Sequence, residues 1–197
     1  MLHSSQKGEK KIAWLLFGFF FLIYFLTAQG TIQSSDGMSM YLITKNLSER
    51  GSFDIATDRY RSGLASKRAG GKYYSKYSPA LPVFAVPFYL LGKYILTPLT
   101  GIEKDFSTRF SVSMSNAFIV TVICVLVFLI AVNKLGLKEN TAICLSVIFG
   151  LATNAWSYSE TFYSQPLSSV FLLCAAFCLL DRENKSLNLF LRASFWD

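Results

Sequence analysis

Residues 12–35 read IAWLLFGFFFLIYFLTAQGTIQSS, without one charged side chain from Ile12 to Ser35. A bilayer core about 30 Å thick is crossed by roughly 20 apolar residues rising about 1.5 Å each. This stretch is long enough. Lys7, Lys10 and Lys11 precede it, as basic residues precede a secretory leader. Its apolar core, Ile12 to Ala28, is longer than a leader's, and no A-x-A cleavage pattern follows, so a retained span is expected. Phe110 to Asn133, Asn140 to Ser159 and Thr161 to Leu180 are equally free of charge.

Composition points the same way. Among the 197 residues 52% are hydrophobic and 16% charged, with 18 Phe and a mean hydropathy of +0.39. Ordinary soluble domains carry about 25% charged residues. Disorder is excluded by the aromatic and aliphatic content, and a disulfide-stapled scaffold by the low cysteine density. Cys124, Cys144, Cys174 and Cys178 all lie in apolar runs, where a thiol acts as a small hydrophobe. The single histidine, His3, sits in a polar tail, so neither a His-based triad nor a His-rich metal site is expected. The net charge of +7 comes from basic residues placed between apolar stretches, which favours a membrane protein over a nucleic-acid binder.

A fifth apolar run, residues 77–92, reads YSPALPVFAVPFYLLG. It is short and carries Pro79, Pro82 and Pro87, so it is expected to lie at the interface rather than to span. The distribution of Lys and Arg separates four spans from five. With four, the short segments on one side hold Lys7, Lys10, Lys11, Lys134, Lys138, Arg182, Lys185 and Arg192. With five, the last five of these change sides. Short-loop basic residues favour the cytoplasm. The expected architecture is therefore an all-α integral membrane protein, multi-pass in the cytoplasmic (inner) membrane, with spans near 12–33, 110–133, 140–159 and 162–180. Both termini are cytoplasmic, and a long extracytoplasmic segment, 36–109, carries amphipathic juxtamembrane helices.

That segment opens SSDGMSMYLITKNLSERGSFD. Asp36 is placed as an N-cap, Met38, Tyr41, Leu42 and Leu47 follow near helical spacing, and Gly51 is a stop. A short amphipathic helix on the membrane face is predicted. Asp36 has two readings here: a helix cap, or a catalytic carboxylate just outside the membrane. Arg59, Arg61, Lys67, Arg68, Lys72 and Lys76 follow. They serve either anionic headgroups in general or a phosphate-bearing lipid in particular. On the same side, TNAWSYSETFYSQPLSS joins the third and fourth spans. Its aromatic residues suit an interface belt. Its one acid, Glu160, near Gln165 and Pro166, suits a site facing Asp36.

The pieces S-D36-G, NLSERGSF, YYSKYSPALP, STRFSVSMSNAF and YSETFYSQPLSS, in this order, resemble the N-terminal half of the GT-C membrane glycosyltransferases. The similar branch contains the protein O-mannosyltransferases and the lipid A aminoarabinose transferases. The resemblance runs from about Ile12 to Leu180. It implies transfer of a sugar from a polyprenyl-phosphate donor to an acceptor, with inversion, outside the cytoplasm. It also implies that Asp36 is the acid that activates the acceptor hydroxyl, and that Lys76 lies on the phosphate side. Gln165, before Pro166, stands where the family often has an acid, so a second carboxylate role falls to Glu160. Asp36 is followed by Gly37, where some branches have Glu. The family has more spans than four, so a truncated or split member is implied. A lipid-phosphate leaving group needs no nucleotide-binding fold, and no G-x-G-x-x-G or Walker pattern occurs. No cofactor, no metal and no nucleic-acid partner is expected; the partners are membrane lipid and the polyprenyl-phosphate sugar. A non-catalytic multi-span protein that retains only the scaffold is the alternative. A transporter fits less well, because no charge falls in the middle of a span.

Overall fold

The computed structural model describes residues 2–55, 65–67 and 72–179. Its axis is a helix of 30 residues, Lys104–Asn133 (α6), about 45 Å long at the standard rise. Other elements pack along α6 in two tiers. The lower tier, reaching from Phe110 to the end of α6, is a helical bundle. Leu2–Thr27 (α1) runs antiparallel to α6, with Phe17 edge-on to Phe118 at 5.7 Å and Phe25 edge-on to Phe110 at 6.0 Å. Glu139–Ala152 (α7) also runs back along α6, and Ser146 Oγ donates to the Cys124 carbonyl at 2.7 Å. Gln165–Leu179 (α9) runs parallel to α6, bringing Phe177 beneath Lys134 at 4.4 Å. Gly150 marks the tightest contact: a Cβ there would stand 2.5 Å from the Phe20 ring and 2.9 Å from Cys124 Sγ.

Two helices, Gly8–Thr27 within α1 and α6 itself, are long and apolar enough to cross a membrane. Trp14, Leu26, Leu172 and Phe171 are at least 65% exposed. In water such a girdle would drive aggregation, whereas a membrane-embedded bundle presents one to lipid. α7 and α9 are apolar but have 14 and 15 residues, or about 21 and 22 Å.

Several boundaries depart from the sequence expectation. The first span was expected over 12–33; the helix instead ends at Thr27, and Gly30 turns the chain at φ 76°. Residues 140–159 do not form one helix. Thr153 adopts an extended conformation, and its hydroxyl accepts the Ala155 N–H to cap a new short helix, Asn154–Ser159 (α8). A charge-free run says nothing of such a break, because hydroxyl capping competes with the helix ladder locally.

The upper tier caps the first half of α6. It contains Ser35–Arg50 (α2), Ala80–Phe84 (α3), Val86–Leu91 (α4), a π-helical turn at Gly92–Leu96, and Thr97–Thr100 (α5). The expectation for 77–92 is thus corrected in form: it is a broken helical run packed on α6, with Leu81, Ala85 and Tyr89 fully buried. Pro79 stands at the N-cap of α3, and Pro82 and Pro87 sit in the first turns of α3 and α4, where a missing N–H costs least. Gly92 allows the closest approach, since a Cβ there would meet the Ser107 carbonyl at 2.7 Å. The cap is not wholly helical. Ala65–Lys67 (β1) pairs antiparallel with Tyr73–Ser75 (β2). Of the basic residues singled out in sequence, Arg59, Arg61, Arg68, Arg182, Lys185 and Arg192 lie outside the described residues.

α2 is capped by Ser34, not by Asp36. The Ser34 hydroxyl accepts the Gly37 N–H at 3.0 Å, leaving Asp36 inside the first helical turn. There its charge favours the helix dipole but makes no cap. Gly51 ends the helix as expected, at φ 65°, with its N–H on the Leu47 carbonyl at 3.1 Å. Met38, Met40, Tyr41 and Ile43 are buried, so α2 packs into the cap instead of lying free on a surface.

Candidate functional site

Where the two tiers meet, the turn between α8 and α9 faces the start of α2. Asn116, fully buried on α6, holds that turn. Its amide nitrogen donates to the carbonyls of Thr161 at 2.7 Å and Tyr163 at 2.9 Å, with Tyr158 more distant at 3.5 Å. From the other side Gly37 fits beneath the turn; a Cβ there would meet Ser34 Oγ at 2.8 Å and the Phe162 carbonyl at 3.0 Å. This explains glycine beside Asp36: a side chain at 37 has no space.

Two polar clefts result. The first, about 330 Å³, is lined by Asp36, Met40, Tyr77, Tyr158, Tyr163, Ser164 and Gln165. Asp36 and Gln165, distant in sequence, therefore share one cleft. The second, about 360 Å³, has Glu160 in its wall with Gln29, Gln33, Ser34 and Thr161. Glu160 does not line the Asp36 cleft; Tyr163 lies between and lines both. Lys76 lines neither. It is exposed, with Nζ 5.1 Å from the centroid of the Tyr77 ring. Tyr77 thus connects the two residues assigned to the acid and the phosphate side.

The Tyr77 phenol faces the Asp36 carboxylate. That interaction, with a smaller contribution from burial, holds its pKa above the ordinary value, so at neutral pH the hydroxyl keeps its proton. Sequence reasoning singled out neither Tyr77 as a partner of Asp36 nor Asn116 as the clamp. Tyr77 was only the first letter of an apolar run. Asn116 had a signal, an amide in the middle of the apolar part of α6, since a buried amide needs partners. Among the described residues no three His, Cys, Asp or Glu side chains gather as a metal site.

A third, mostly apolar groove of about 300 Å³ lies between α7, α8 and α9, and shares Tyr158 and Gln165 with the Asp36 cleft. The joined clefts offer an acid, neutral hydrogen-bonding groups, an aromatic wall and an adjoining apolar channel. No family model, curated protein or solved structure matches this chain.

Proposed function

We propose that the chain is a membrane glycosyltransferase of the GT-C kind, or the N-terminal portion of one, moving a sugar from a polyprenyl-phosphate donor to an acceptor hydroxyl with inversion. The observation that carries this reading is the shared cleft of Asp36 and Gln165 beside an apolar groove, with Lys76 outside the cleft and touching its Tyr77 wall. In the proposed topology four spans cross the inner membrane, both termini are cytoplasmic and the cap lies outside. Asp36 takes the proton of the acceptor hydroxyl as its oxygen bonds to the anomeric carbon. The bond from that carbon to the phosphate oxygen breaks on the opposite face, and the electron pair leaves with the lipid phosphate. Lys76 offsets the charge on the leaving group. A positioned base contributes about 10²–10⁴-fold.

The test is transfer from a polyprenyl-phosphate sugar in membranes that hold the chain with whatever continuation its reading frame encodes. Asp36→Asn keeps shape but accepts no proton, so transfer is expected to fall by at least about 10²-fold with membrane insertion intact. Lys76→Ala is expected mainly to raise the KM for donor. Near-normal transfer by Asp36→Asn would remove Asp36 as base. Absence of transfer from every donor with the intact sequence would favour a non-catalytic scaffold. A reporter fused after Leu137 is expected to read cytoplasm; an external signal there overturns the topology.

A further inference from the structure

The second cleft differs in chemistry from the first. Its one charge is Glu160, and no Lys or Arg lines it. Glu160 Oε1 accepts the Trp156 indole N–H at 3.0 Å, and Oε2 accepts from Gln29 Nε2 at 3.4 Å. Both donors are neutral. A carboxylate has about four lone-pair positions, and these two bonds use only two of them. Gln29 Nε2 has a second N–H beyond the one it gives to Glu160. Around this pair stand the amide of Gln33, the hydroxyls of Thr31, Ser34 and Thr161, and the ring of Tyr163.

We propose that this cleft, built on Glu160, Gln29, Gln33, Thr31, Thr161 and Tyr163, binds a neutral polyhydroxylated ring, that is, a sugar. The argument is one of complementarity. A carboxylate beside a primary amide offers acceptors and donors in alternation, as vicinal hydroxyls require. The ring of Tyr163 gives a flat apolar wall for the C–H face. An anionic ligand would face Glu160 without a cation to offset it. At about 360 Å³ the cleft lies in the range of small-molecule sites. Because Tyr163 separates it from the Asp36 cleft, a ring seated here lies beside the proposed base and not on it. The proposal rests on the transfer reading for the sugar's role and names where its ring sits; the binding itself requires no reaction.

The indole of Trp156 reports the site, because its N–H ends on Glu160. Trp14→Phe with Trp196→Phe leaves Trp156 as the sole tryptophan. In nanodiscs, this protein is titrated with free mannose, glucose, galactose and arabinose, with a farnesyl-phosphate mannose, with farnesyl phosphate alone, and with ethanolamine. A saturable change in Trp156 emission is expected with at least one free or lipid-linked sugar, and none with farnesyl phosphate alone. A response to free sugar identifies the ring as sufficient; a response only to the sugar-bearing lipid identifies a lipid-linked source. Glu160→Gln and Gln29→Ala should each weaken the response at least about tenfold, since each removes a hydrogen bond at the carboxylate pair. Lack of response to any sugar, a stronger response to ethanolamine than to sugar, or sugar binding unchanged in both variants overturns the proposal. Sugar binding without transfer would remove the transferase reading and leave this site standing. Transfer that proceeds while both variants bind sugar normally would do the reverse.

Discussion

The two halves of α6 are buried by different chemistry. Along residues 104–118 the cap covers one face of it with a polar network, while α1 packs on another face at Phe110 and Phe118. Tyr89 and Lys104 both reach Glu49 Oε1 at 2.7 Å, with Lys93 at 3.8 Å. The Tyr41 hydroxyl lies 2.7 Å from Thr108 Oγ1, and Arg109 meets Asp105 at 2.5 Å. Along residues 119–133 the bundle covers α6 with aromatic and aliphatic contacts and few side-chain hydrogen bonds, among them Tyr24 to Gly150 and Ser146 to Cys124. Charges are kept where water or headgroups can screen them, and packing takes over where hydrocarbon would penalise them. The candidate site lies at the seam, and Asn116 is its tie.

The largest expected effect is at that tie. Asn116→Leu leaves the carbonyls of half-buried Thr161 and Tyr163 without their donor, which should destabilise the protein by about 2–4 kcal/mol. Unfolding of the protein in nanodiscs, with hydrogen exchange over residues 158–165, checks it. A loss under about 1 kcal/mol would mean that water replaces the amide and that the seam is wetter than it looks.

Next come the two glycines, one in each tier. Gly150→Ala forces a methyl against the fully buried Phe20 ring, and Gly92→Ala forces one against the Ser107 backbone. Each should cost about 1–3 kcal/mol. If the tiers are distinct, Gly92→Ala raises exchange in α2 to α4 and spares α1 and α7, while Gly150→Ala does the opposite. Uniform loosening by either would show that the tiers unfold as one.

Acid gives a smaller effect confined to the cap. The hydrogen bonds from Lys104 and Tyr89, more than the charge of Lys104, hold the Glu49 carboxyl down from its ordinary 4.5 to about 2. Stability from a depressed carboxyl is complete above the ordinary value and is lost as pH falls from about 4.5 toward 2. Because the group is partly exposed, solvent screening leaves on the order of 1 kcal/mol. Exchange in α2 and α4 should rise across that window, and Glu49→Gln should abolish the pH dependence while weakening the cap at neutral pH.

What the sequence made legible was burial averaged over a helix. The long uncharged runs of α1 and α6 were readable because apolar length is additive. So was the end of α2, because only glycine suits the left-handed position of residue 51. Local competitions were not readable. Ser34, Ser35 and Asp36 are all able to cap, and the choice fell to Ser34 because the Gly37 N–H meets its hydroxyl. Thr153 broke a run whose composition was blameless. At the site, Asp36 and Gln165 could be named from motif order. Their meeting with Tyr77, and the separation of Glu160 by Tyr163, depend on how a loop and a turn pack across the chain, which no local pattern encodes.

The smallest expected effects come from two tyrosines, and they reverse a natural guess. The cap has more hydrogen bonds, so its loss of one phenol might be thought the worse. Tyr41→Phe keeps the ring 5.8 Å from the Arg109 guanidinium, which stays paired with Asp105, and removes the phenol's interactions with Thr108 and Arg109. Thr108 Oγ1 still donates to the carbonyls of Lys104 and Asp105, at 2.9 and 3.1 Å. No buried group is orphaned, so the expected cost is about 0.5–1 kcal/mol. Tyr24→Phe removes the donor to the Gly150 carbonyl at 2.9 Å. Gly150 lies in the last turn of α7, before the break at Thr153, where carbonyls lack a helical N–H. Tyr24 and Gly150 are both buried, so the expected cost is higher, about 1–2 kcal/mol. Unfolding of the two variants side by side in nanodiscs checks the order. Should Tyr41→Phe prove the more costly, the cap network is cooperative and each bond in it counts for more than its pair.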